Sequence, residues 1–178
     1  MGILQKLRQK MRPDRYPADY WPSVVVLMSQ PVFPSGDEIL SHAQTAWGNA
    51  GQAKLAGTLR NGASHVIHCG PMTFSIHCTN AKYGQLSERG DGILQRPWDD
   101  HSAWMSVDLP KLRTQALSEA GELANMYEVL LVFVFLCWNN NCLGVYFPGE
   151  GVTVPNFGDL AASINWGRQN GLNLNFLS

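Results

Sequence analysis

The sequence predicts an α+β domain, a mixed or antiparallel sheet with helices packed on one face. Three observations lead there. A continuous β-branched run, Ser23-Val-Val-Val-Leu-Met-Ser29, reads as a strand buried on both faces. Two further strand-like runs, His65–Cys69 and Met72–Cys78, are separated only by Gly70-Pro71, a tight-turn signal that makes them antiparallel neighbours. Apolar residues at helical spacing follow other strands instead, over Ile39–Trp47 and Leu112–Val134. At 45% hydrophobic and 15% charged over 178 residues, the chain has the composition of one packed domain, not a disordered segment.

Each element has a local reason. Residues 1–21 form a basic N-terminal segment, and residues 22–178 form the single domain. Ile3, Leu4, Leu7 and Met11 fall at helical spacing before Pro13, so a short amphipathic helix is expected there. Pro31 and Pro34 end the first strand. Ser35 followed by Glu38 has capping-box spacing and starts a helix at Gly36 or Asp37, carried by Ile39, Leu40, Ala43, Ala46 and Trp47. Gly48 and Gly51 close it. A short strand is expected over Leu55–Arg60, and a loop over Asn80–Pro97 with one helical turn near Leu86.

His101–Asp108 alternates as a strand. Asp108 and Pro110 suit the start of a helix, with Asp as the cap and Pro in the first turn. Leu112, Ala116, Ala120, Leu123, Tyr127, Leu130 and Val134 then step by threes and fours along one stripe. Every residue from Val129 to Trp138 is apolar. Ten such residues are too few to span a bilayer, so they form a buried helix end or a core strand. Asn139–Asn141 is a turn and Cys142–Phe147 a strand. Val152–Val154 is a short extension, and Asn156 with Asp159 caps a last helix ending near Gly167.

The order is strand, helix, strands, then strand, helix, strand, helix. Its two halves look alike, which suits a ferredoxin-like two-layer sandwich. Strands spaced by helices also permit an α/β sheet as the alternative.

Charge and cysteine usage narrow the function. The net charge of −1 hides an asymmetry: residues 1–20 carry five basic groups against two acidic, and the rest carries 8 basic against 12 acidic. A basic head could touch a membrane surface through residues 1–12, but no nucleic-acid platform is expected, since the other basic residues are scattered without aromatic stripes. No secretory signal is recognisable, and no Cys-x-x-Cys pair exists among Cys69, Cys78, Cys137 and Cys142. A cytoplasmic protein with reduced thiols is the simplest expectation.

Three constellations could carry chemistry. His65, His68, Cys69, His77 and Cys78 are all possible zinc ligands. A two-residue turn at Gly70-Pro71 would pair Cys69 with Met72, His68 with Thr73 and Ser64 with His77. His68 and His77 then stand roughly 13 Å apart, too far for one ion. Cys137 and Cys142 have knuckle spacing and would need a second ligand pair from the hairpin. No metal or cofactor is expected. Trp98-Asp99-Asp100-His101 sets carboxylates beside an imidazole, as a general acid/base unit would. The glycines flanking Glu150 allow close backbone approach in a loop where a ligand could sit. Trp98, Asp100, His101 and Glu150 are therefore the candidate ligand-binding residues. No catalytic set is complete, because no Ser stands at a strand-to-helix elbow. Arg89-Gly-Asp91 is a chance match to an adhesion tripeptide.

The segments Trp98-Asp-Asp-His101-Ser-Ala103 and Cys142-Leu-Gly144-Val-Tyr146, with the long helix between them, resemble an uncharacterised bacterial domain family over residues 22–165. Trp98, His101 and Gly144 are the matching positions. The resemblance implies no activity. The apolar Val129–Trp138 run departs from it and suggests a helix end that packs on another chain. The expected function is thus a non-catalytic domain acting through protein contacts, chiefly self-association as a homo-oligomer. The alternative is a small-molecule binder or enzyme with His101, Asp100 and Glu150 in one pocket.

Overall fold

The structure is a computed structural model that describes residues 22–59, 63–84, 92–110 and 120–177. The amphipathic segment before Pro13, the basic head, the turn near Leu86, Arg89-Gly-Asp91 and the start of the Leu112–Val134 stripe lie outside the described residues.

The described elements are β1 (Ser23–Met28), α1 (Gly36–Trp47), β2 (Ala53–Leu59), β3 (Ser64–Cys69), β4 (Met72–Thr79), α2 (Arg96–Asp100), β5 (Ala103–Asp108), α3 (Ala120–Cys137), β6 (Cys142–Phe147), β7 (Val152–Pro155) and α4 (Leu160–Gln169). The seven strands form one open sheet in the order β2-β3-β4-β5-β1-β6-β7. Every neighbouring pair runs antiparallel. The α+β class therefore holds, and the parallel α/β alternative does not. A ferredoxin-like sandwich, built from one β-α-β-β-α-β unit, is too small for this sheet.

Local chemistry sets the boundaries. The Ser35 hydroxyl accepts from Glu38 N–H while the Glu38 carboxylate accepts from Ser35 N–H at 2.8 Å, a complete capping box at the start of α1. Asp159 caps α4 by accepting from Ala162 N–H at 2.7 Å. Asn156 instead holds the preceding turn, accepting from Gly158 N–H and donating to the Cys142 carbonyl. The β3–β4 hairpin has the expected register, with Cys69 opposite Met72 and Ser64 opposite His77. Gly70 takes φ +56 there, and a Cβ on it would lie 2.0 Å from the Ala50 carbonyl oxygen, so glycine is required. Pro71 keeps φ negative, which fits a type II′ turn.

β1 is an interior strand, between β5 and β6, and its alternate residues feed two cores. Val24, Val26 and Met28 face α1, α3 and α4 in the main core. At its centre the Trp47 ring stacks on Phe74 at 3.5 Å and on Phe133 at 4.9 Å, and its indole N–H donates to the Val129 carbonyl. Val25 and Leu27 face the other way, into a smaller cluster with Trp98 and Tyr146. That second cluster lies under α2, so the helices are not confined to one face. The expected loop before Pro97 hid α2, and His101 is its C-terminal cap, not a strand residue.

The Val129–Trp138 run is helical through Cys137, which removes the strand reading. Tyr127, Leu130, Phe133, Val134 and Cys137 turn inward. No helix among the described residues is long and apolar enough to cross a membrane. At the β2 edge, Ala56 is an extra residue between the Leu55–Ile67 and Gly57–Val66 pairs, a β-bulge.

Candidate functional site

The side chains singled out from sequence separate into three environments. Trp98 is buried, and its indole N–H donates to the Thr153 hydroxyl at 2.9 Å. His101 is buried beside it. Its Nε2 accepts from the Tyr83 N–H at 2.8 Å, and its Nδ1 lies 2.8 Å from the Trp98 carbonyl. An amide can only donate and a carbonyl can only accept, so the proton sits on Nδ1 and the ring is neutral. Both nitrogens are thereby committed to backbone groups. His101 pins α2 and the Tyr83 segment onto the sheet, a positioning role in place of acid/base work.

Asp100 is half exposed and accepts from Arg96 Nε at 3.2 Å, one turn back on α2. Glu150 lies in the β6–β7 turn, where its N–H donates to the Phe147 carbonyl. The strand registers put His101 at the Met28–Ala103 end of β1 and Glu150 beyond the opposite end. Five strand steps separate these ends, about 16 Å. The structure brings Trp98 and His101 together and leaves Asp100 and Glu150 apart from them and from each other. No acid/base pocket forms from this set.

Sequence reasoning missed a polar group on the same sheet face. The Asp108 carboxylate accepts from the hydroxyls of Ser23 and Ser106, and His77 Nε2 stands 3.8 Å from it. His77 Nδ1 pairs with the Ser64 hydroxyl at 2.9 Å. Burial pushes the Asp108 carboxyl above the usual range, against the opposing pull of the two hydroxyls and His77. Burial likewise raises the Tyr83 phenol, helped by Tyr146 and Asp108. Asp108 thus ties β5 to β1 within the sheet; the start of the helix expected after it lies outside the described residues. Ser64 is buried, so this His–Ser pair does not present a nucleophile to solvent. The signal was present in the alternation of β4 and β5, but only the pairing of β5 with both β4 and β1 assembles it.

The thiols are buried and make no disulfide among themselves. Burial pushes Cys78 up to about 12 and Cys142 to about 11, and it raises Cys137 and Cys69 as well. None is a reactive thiolate near neutrality. Cys78 and Cys142 lie three strand spacings apart, about 14 Å, so the hairpin cannot complete a knuckle with Cys142. Among the described residues, no three His, Cys, Asp or Glu side chains gather as metal ligands.

Among the described residues, two concave surfaces stand out. The larger, about 560 Å³, runs between α3 and α4, with Leu131, Val132, Phe135, Leu160 and Ile164 on its walls. Glu128 and Arg168 also line it. Phe135 is 54% exposed and Val132 is 42% exposed, because α3 is apolar on its outer as well as its inner side. The smaller, about 340 Å³, lies between α2 and the β6–β7 pair. No family model, curated protein or solved structure matches the chain.

Proposed function

We propose that this chain is a protein-interaction domain that pairs with a second copy of itself through the α3–α4 groove. The observation that carries the reading is Phe135, an aromatic side chain more than half exposed beside an apolar groove. Exposed aromatic patches of this kind mark interaction sites, and burying such a side chain contributes about 2 kcal/mol. Charge supports a second copy as the occupant. The groove carries one carboxylate, Glu128, on α3 and one guanidinium, Arg168, on α4. In a two-fold pair, each residue can meet its opposite on the partner, as a self-complementary interface requires. The cytoplasm is part of the proposal, supported by four buried thiols without a disulfide among them.

Analytical ultracentrifugation over a concentration series tests the reading. The wild-type chain is expected to dimerise reversibly. Phe135→Glu should be monomeric with an unchanged circular dichroism spectrum. Glu128→Arg should weaken the dimer, and the double swap Glu128→Arg/Arg168→Glu should restore it. A wild-type chain that stays monomeric at the highest concentration overturns self-association.

A further inference from the structure

We propose that the smaller cavity, between α2 and the β6–β7 pair, binds a small planar carboxylate of the aromatic or heteroaromatic acid class. The size fits, since ligand cavities begin near about 300 Å³ and this one holds about 340 Å³. Its lining is mainly apolar: Pro97 from α2, Pro155 from β7, and the exposed Ile93 and Phe157. The Phe157 ring is held by stacking on Trp166 at 4.3 Å and 20°, which makes it a fixed platform for another ring.

The polar groups decide the sign of the ligand. Arg96 is the charged residue on the wall. Its Nε edge donates to Asp100, while its terminal amino groups make no hydrogen bond among the described residues. A guanidinium edge that no described residue occupies matches a carboxylate in two parallel hydrogen bonds. The Asn140 carboxamide, also on the wall, likewise makes no hydrogen bond among the described residues. Asn156 is already bonded to Cys142 and Gly158, so it shapes the wall and does not compete. Cys142 adds a neutral thiol, its Sγ accepting from Asn139 N–H.

The site is also held in place before a ligand arrives. Trp98 and His101 fix α2 to the sheet from its buried side. At Gly144 an added Cβ would meet Val154 O at 2.6 Å and Pro97 Cγ at 3.3 Å, so the close seat of α2 on β6 needs glycine there. A wall that does not reorganise on binding keeps the cost of association low.

The test is an amide NMR titration of the Phe135→Glu chain, so that it does not depend on dimerisation. Benzoate is the probe. Benzyl alcohol keeps the ring without the charge, inorganic phosphate keeps the charge without the ring, and benzamidine reverses the charge. Benzoate is expected to shift the Asn140 and Asn156 carboxamides and the Leu143 and Phe157 amides, and to bind more tightly than each control. Arg96→Gln, at an exposed side chain, should weaken benzoate by about tenfold or more, the worth of a charged hydrogen-bond pair. Asp100→Asn should tighten it by freeing the guanidinium. Three results overturn the proposal: no shifts with benzoate, shifts that survive Arg96→Gln unchanged, or phosphate binding as tightly as benzoate.

Discussion

The two faces of the sheet solve the same burial problem differently. On the α1–α3–α4 side, the strands present an apolar surface, and the Phe74–Trp47–Phe133 stack fills its centre. On the α2 side, one end is aromatic, with Tyr83, Trp98, Trp104 and Tyr146 in contact, and the other is polar, with Asp108 and its hydroxyl partners. The first face is held by non-directional packing. The second is held by directional bonds from an indole, an imidazole and a carboxylate. A short helix can cover a sheet face only when such bonds replace area, because one and a half turns bury too little on their own.

Four changes would break or sharpen that contrast. The largest effect is expected for Trp47→Ala, which removes both stacks and leaves a cavity in the main core. A loss of about 4 kcal/mol in denaturant unfolding is anticipated. On the other face, His101→Ala should cost about 3 kcal/mol, since it strands the Tyr83 N–H and the Trp98 carbonyl. Hydrogen exchange at Tyr83 should accelerate beyond the global change; equal acceleration everywhere would show that His101 is not a local pin.

Asp108→Asn should alter the pH dependence more than the stability itself. The folded state raises the Asp108 pKa, so it binds that proton more tightly than the unfolded chain does. The stabilisation from this group is complete below the ordinary aspartate value and is lost as pH rises through the raised value. Unfolding measured across that window should show a decline with pH in the wild type and a flatter profile in the variant. The smallest effect is expected for Phe135→Ser, within about 0.5 kcal/mol for the monomer, because that side chain is exposed. A large loss there would mean that Phe135 belongs to the core.

What was legible in the sequence follows the range of the forces involved. The Ser35–Glu38 box, the Asp159 cap and the β3–β4 register are local, and neighbouring residues determine them. The state of Val129–Trp138 was open because β-branched residues favour strands, whereas packing against α1 and β1 favours helix. α2 was hidden because it spans five residues and is kept by contacts from Thr153 and Tyr83, far away in the chain. His101 was visible as a residue of interest, but its role depended on which groups met its two nitrogens. Asp108 stands out in the sequence only through the Pro110 that follows it, whereas its contact with Ser23 needs the pairing of β5 with β1.

The bulge at Ala56 and the proline at the end of β7 have a consequence for how copies of this chain can meet. An open sheet exposes two rows of unpaired amides and carbonyls, and runaway fibres grow by adding strands to such rows. Here one border is kinked by the extra residue and carries Lys54, and the other is four residues long and ends on Pro155, which lacks a donor. These features disfavour growth along the hydrogen-bond direction at both borders. The two-fold pairing proposed for the helical flank would, by contrast, close on itself and stop.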